Sequence, residues 1–271
     1  MPQSKGAKLY VVNAGNSTVS VFDLADRRVA PVLITGGGLY GPSGVALDAS
    51  GDLYVTNPVL DHISVFDTTH DDRVLPTIAC SQNRSYPGGL AVDGRGSLYV
   101  SNAGANSISV FENVSLVRRA AALTITGGGL NIPWGAAVST SGKLYVANEN
   151  GNNVSVFDTA HGNLALRPIT GGGLNFPFGV AMASTGKLYV ANLNGNSVSI
   201  FDTAHKNIAL KTITGVGLCN PSGVALDGSG HLYVANAGRN SVSIFDTRHG
   251  NRALMPITGR GLNFPYGLAV Q

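Results

Sequence analysis

The chain has 271 residues, of which 44% are hydrophobic and 12% charged, with 18 basic and 15 acidic side chains and a net charge of +3. That apolar share excludes a disordered chain, and the few charges, in scattered pairs such as Arg27-Arg28, form no basic stripe of the kind nucleic acid needs. No run of about 18 apolar residues occurs, so no membrane span is expected.

The N-terminal Met-Pro-Gln-Ser-Lys-Gly has no apolar signal region. The chain is then either cytosolic or has lost a leader, and the second case implies a secreted or periplasmic, extracellular setting. The first predicted element is a strand at Leu9-Tyr-Val, closed by Asn13. Near-copies of the triplet start at Leu53, Leu98, Leu144, Leu188 and Leu232, spaced 44, 45, 46, 44 and 44 residues apart, each followed by an Asn at 57, 102, 148, 192 or 236. The clearest copy is Gly142 to Asp158, GKLYVANENGNNVSVFD. After each triplet comes a second run such as Val154-Ser-Val-Phe157, then a third such as Leu166 to Thr170, then a Gly-rich passage ending in Pro-x-Gly-Val-Ala.

These runs are short, rich in Val, Ile, Tyr and Phe, and bounded by Gly, Asn, Asp and Pro, which is the signature of strands. Val198-Ser-Ile200 shows the alternation of a half-buried strand, and no segment carries a helical apolar period. Four short antiparallel strands in a unit of this length make a propeller blade. The expected fold is all-β.

The chain ends show how the ring closes. From Pro42, Pro87, Pro133, Pro177 and Pro221 to the next Leu-Tyr-Val is 11 residues each time, whereas Pro265 has only six residues after it and Leu9 has no Pro-x-Gly before it. Tyr266 to Val270 therefore supplies the innermost strand of the Leu9 blade, giving one domain over 1–271 with six blades. Their approximate bounds are 1–38 with 262–271, 39–82, 83–128, 129–172, 173–216 and 217–261. Closure through both termini leaves no open sheet edge between first and last blades. Cys80 and Cys219 fall in connections on opposite sides of such a ring, too far apart for a disulfide, and are expected as free thiols.

The pattern Pro-x-Gly-Val-Ala-x-Asp-x-x-Gly-x-Leu-Tyr-Val-x-Asn at Pro42–Asn57, Pro87–Asn102 (Leu90 for Val) and Pro221–Asn236 resembles the NHL-type and YVTN-type repeats of bacterial propellers, along the whole chain. The resemblance implies the fold. Relatives of this kind include protein- and RNA-binding modules, lactonases, and lyases acting on peptides or antibiotics, so it does not select an activity.

Equivalent positions in the blades form rings. Between Pro and Gly stand Ser43, Gly88, Trp134, Phe178, Ser222 and Tyr266, expected at the mouth of the central channel on the same face as Asn13, Asn57, Asn102, Asn148, Asn192 and Asn236. Two readings stand for the aromatics: a plug, or a half-moon platform for a flat ligand or sugar with Ser43 and Ser222 leaving room. The asparagines either satisfy their own turns or add polar groups to a pocket.

On the innermost strands, alternation is expected to turn Gly44, Ala46 and Asp48 toward the axis and Val45 and Leu47 away. Equivalents of Asp48 are Asp93, Ser139, Ala183, Asp227 and Gln271, so Asp48, Asp93 and Asp227 offer a Ca²⁺ site or ordinary Asp-x-x-Gly turns. The resemblance to lactonase-type propellers implies a channel metal held by Glu, Asn and Asp, but the only glutamates, Glu112 and Glu149, lie on no innermost strand. Related lyases imply His with Glu, or a His-bound zinc. Here His70, His161, His205 and His249 recur in Phe-Asp-Thr-x-His at the rims of different blades and cannot converge on one zinc; they read as capped turns, and His62 and His231 are isolated. Gly127 to Gly129 has no helix after it and is no phosphate cradle.

These residues point to a binding module with no catalytic residue and no required cofactor, taking a small molecule, glycan, peptide or protein partner at the Trp134, Phe178 and Tyr266 face. The alternatives are a metal-dependent lyase or hydrolase using the channel aspartates, and a structural scaffold.

Overall fold

A computed structural model describes residues 6–80, 84–114, 121–215, 217–259 and 261–271. The strand-forming runs pair with their neighbours in sequence, most of them across short Asn- and Gly-rich links. The result is six sheets of antiparallel strands. Blade 4 shows the unit: Pro133–Val138, Lys143–Asn148, Asn153–Asp158 and Leu164–Thr170, from the axis outward. Blade 1 takes its innermost strand, Pro265–Val270, from the far end of the chain and pairs it with Lys8–Asn13. The innermost strands of successive blades touch all the way round, including Pro265–Val270 against Val45–Leu47, and so close the propeller.

In blades 2, 4 and 6 the outer strand carries a bulge opposite the middle Ser of the third strand, as between Val154 and Val156. Pro76, Pro168 and Pro256 sit in such bulges, where a residue without an N–H loses no ladder bond. Blade 5, with Lys211 and Thr212 there, has its outer strand split into Ile208–Ala209 and Ile213–Thr214.

The core lies between blades. Tyr145, Val156 and Ile169 of blade 4 pack with Leu188, Val190 and Phe201 of blade 5, and Leu144 and Val146 turn the other way onto Tyr99 and Ile108 of blade 3. The same geometry corrects the expectation for the innermost strands. The blades stand on edge around the axis, so alternate side chains face the two neighbouring blades and not the axis and its opposite. Val45 packs with Val12 and Ala269 of blade 1, and Ala46 with Leu90 and Val100 of blade 3. The Gly of each Pro-x-Gly is required by this packing: a Cβ on Gly135 would lie 2.3 Å from the Phe178 carbonyl oxygen, and one on Gly179 2.3 Å from that of Ser222. Among the described residues no helix is long and apolar enough to cross a membrane.

Candidate functional site

The mouth is built from the residue before each innermost Pro. Gly41, Tyr86, Ile132, Phe176, Asn220 and Phe264 all have left-handed backbones, with φ between 47° and 52°. A side chain from the preceding blade holds each of them by its N–H. Asn106 Oδ1 accepts from Ile132 at 2.7 Å, Asn152 from Phe176 at 2.8 Å, Asn196 from Asn220 at 2.7 Å and Asn240 from Phe264 at 2.6 Å. Asp61 serves Tyr86 and Ser17 serves Gly41. For a non-glycine residue this conformation costs about 1–2 kcal/mol, and for β-branched Ile132 and the bulky rings it is rare. The turn aims Tyr86 and Phe264 outward, each 47% exposed. Sequence reasoning missed this ring, although its signal was present: bulky residues directly before Pro where other copies have Gly or Asn.

One residue further on stand the ring members predicted for the mouth. Trp134 and Phe178 stack with centroids 4.7 Å apart, Phe178 meets Tyr266 edge-on at 5.4 Å, and Phe264 extends the group to 5.7 Å from Tyr266. Trp134 lies over Gly88, where a Cβ would meet the indole at 2.6 Å. Ser43 and Ser222 are buried, and Ser222 donates to the Pro265 carbonyl at 2.9 Å. Trp134, Phe178, Tyr266, Ser43 and Ser222 share a cavity of about 100 Å³ with Val45, Leu90 and Leu268. That volume suits the tip of a side chain rather than a sugar ring. Phe178 is buried, while Trp134 and Tyr266 are half-buried and keep part of their surface exposed.

Glu149, directly after Asn148, accepts a 2.5 Å hydrogen bond from Trp134 Nε1. The Tyr266 phenol is pushed up by burial and, in second place, by the charge of Glu149.

Of the two roles open to the six asparagines, their hydrogen bonds fit the turn-holding one. Asn13, Asn57, Asn102, Asn148, Asn192 and Asn236 are at most 1% exposed and none lines the mouth cavity. Asn192 is representative: its Oδ1 accepts from Asn175 N at 3.1 Å and its Nδ2 donates to Ser197 and Ser199 at 3.1 and 2.9 Å. In blade 3 the sequence before Pro87 departs from the repeat, and among the described residues the buried Asn102 Oδ1 has no hydrogen-bond partner.

The aspartates considered for a metal do not converge either. Asp48 accepts from Ser50 N, Asp52 N and the Tyr54 hydroxyl, Asp93 from Arg95 N, Ser97 N and the Tyr99 hydroxyl, and Asp227 from Ser229 N, His231 N and the Tyr233 hydroxyl. Each closes its own Asp-x-x-Gly turn, and among the described residues no group of three His, Cys, Asp or Glu side chains is placed to hold a metal. Asp227 is raised by burial but held below its ordinary value on balance by the hydrogen bonds of His231, Ser229 and Tyr233.

His70, His161, His205 and His249 each bond through Nδ1 to the Asp three residues earlier, at 2.7 to 3.0 Å. Cys80 and Cys219 are free thiols, and burial, with help from Asp61, pushes Cys80 up to about 12.

Residues 130–157 and 218–245 match the NHL repeat. No curated protein sequence matches the chain. Among solved structures it is similar to a chain of a nidogen/laminin complex, with 20% identity, a TM-score of 0.80 and 98% of each chain covered. It is similar also to a protein of unknown function from Bacteroides caccae, with 13% identity and a TM-score of 0.76 over 98% of each chain. Virginiamycin B lyase from Staphylococcus aureus, 11% identical, aligns at a TM-score of 0.70 over 98% of this chain and 86% of its own. At these identities the likeness is one of fold.

Proposed function

Because the chain is a six-bladed β-propeller carrying NHL repeats, we propose that it is a binding module whose mouth face takes a peptide segment of a protein partner. The observation that carries this reading is the crescent of Trp134, Phe178, Tyr266 and Phe264, next to outward-turned residues kept in a costly backbone conformation. Rigid aromatic side chains that offer area at little entropic cost are the residues on which binding energy concentrates.

The polar groups favour a peptide over a glycan. A sugar needs convergent amides and hydroxyls, and here the asparagines and Ser222 are committed inside the blades. The chain in the nidogen/laminin complex is named with a protein partner, which supports a protein-binding use of this fold. The enzyme reading, with Asp48, Asp93 and Asp227 as its acids, draws no support from carboxylates committed to turns.

Trp134 is the sole Trp, so its fluorescence reports directly on the mouth. Titration with short peptides, glycans and aromatic metabolites, with and without Ca²⁺, is expected to give a saturable shift for peptides only, unchanged by Ca²⁺ and weakened about 10-fold or more by Phe178→Ala. A flat response in a protein that still unfolds cooperatively overturns the proposal.

A further inference from the structure

Resting on the reading of the mouth as a peptide site, we infer that its occupant presents a cation on an apolar stem, a lysine or arginine side chain, to Glu149. The six positions that follow the asparagines are Ala14, Pro58, Ala103, Glu149, Leu193 and Ala237. Five are uncharged, and the one carboxylate is in the blade that also supplies Trp134. The indole N–H holds Glu149 Oε2 and so fixes ring and carboxylate together. Among the described residues no ion pair includes Glu149.

The physical choice between occupants follows from what covering the mouth does to that carboxylate. An apolar or aromatic peptide would remove Glu149 from water and leave it with only the indole N–H, and a buried charge without a partner is strongly unfavourable. An acidic or phosphorylated segment would add like-charge repulsion. A basic side chain instead meets the carboxylate with its head and the faces of Trp134 and Tyr266 with its stem, and cations are drawn to such faces within roughly 6 Å. Trp134 and Tyr266 both line the mouth cavity, so a stem laid on their faces is at the mouth.

The test is selection of a displayed library of random heptapeptides on the full chain. Enriched peptides are then measured by Trp134 fluorescence against the wild type and Glu149→Gln, which keeps an acceptor for the indole N–H and removes the charge. The inference expects Lys or Arg in the enriched sequences, a 10-fold or greater weakening by Glu149→Gln with an unchanged melting curve, and a similar weakening when the basic residue is replaced by norleucine. Binding should also fall as salt is raised. Enrichment of neutral or acidic peptides that still shift Trp134, or affinities indifferent to Glu149→Gln, would overturn the cationic occupant and leave the peptide site standing. No enrichment, with no response of Trp134 to any peptide, would overturn both.

Discussion

At the end of the propeller where Asp48, Asp93 and Asp227 turn the chain, polar groups are bound within a blade or to the next one. Thr159 donates to the Gly142 carbonyl at 2.8 Å, and the Tyr145 and Tyr189 hydroxyls reach Thr203 and Thr247 of the following blades. Burial first of all raises those phenols above their ordinary range. At the mouth end the same six repeats leave a carboxylate facing aromatic rings, and strained backbones that turn apolar side chains into water. The repeat unit explains the first end and does not explain the second. Where every blade carries the same residue the role is holding the blade; where the blades differ, at Trp134, Phe178, Tyr266 and Glu149, no turn or ladder requires the difference.

The largest expected effect separates the two roles within the mouth end itself. Asn192→Ala takes the acceptor from the Asn175 N–H and a donor from the buried Ser197 and Ser199, and should cost about 2 kcal/mol of stability. Trp134→Phe keeps a ring against Gly88 and Phe178 and should cost far less while altering peptide binding. Urea unfolding of both variants with a peptide titration of each native form would show the dissociation. Equal losses of stability would make the aromatic crescent a part of the frame and erase the contrast between the two ends.

The fold was legible because each of its requirements is local and repeated: Leu-Tyr-Val for the second strand, Gly after Pro for the close approach of neighbouring blades, Pro265 with six residues after it for the closing strand. The site was legible only in outline. The asymmetry of Trp134, Phe178 and Tyr266 could be seen as a ring position, but not their stacking, which depends on the rotation of one blade against the next. The inward-facing assignment for Ala46 and Asp48 failed because alternation along a strand defines two faces, and which neighbour each face meets is a property of the assembled ring. Glu149 could be seen as a carboxylate off the innermost strand and a candidate acid or base, but not as the partner of Trp134, since nothing in the sequence states that the indole meets it across 15 positions.

A smaller effect tests whether the strained backbone belongs to binding. Phe264 has φ 52° and a side chain 47% exposed. Phe264→Gly removes a left-handed cost of about 1–2 kcal/mol and adds back roughly 0.5–1 kcal/mol of chain entropy. The variant should therefore be more stable by about 0.5 kcal/mol on these figures, and bind mouth peptides several-fold more weakly. Reduced stability together with unchanged peptide affinity would show that Phe264 is held for packing on Tyr266.

The smallest effect lies at the opposite end and depends on pH. Asp158, Asp202 and Asp246 are held below the ordinary carboxylate range, first by the side-chain hydrogen bond of the His three residues on, with partial burial opposing. A carboxylate whose pKa is lower in the folded than in the unfolded chain contributes stability that is present above the unfolded value and is lost as pH falls through the folded one. The unfolded value is about 3.9, so the loss belongs below roughly pH 4. Because His205 and its counterparts are about three-quarters exposed, solvent screens each pair and keeps the change small. Urea midpoints measured from pH 6 down to pH 2 should fall below pH 4 for the wild type, and less steeply for His205→Ala, whose Asp202 has lost the bond that lowers it. Trp134→Phe should keep the wild-type slope. If the mouth variant flattened the acid limb and the rim variant did not, the division of labour between the two ends would be reversed.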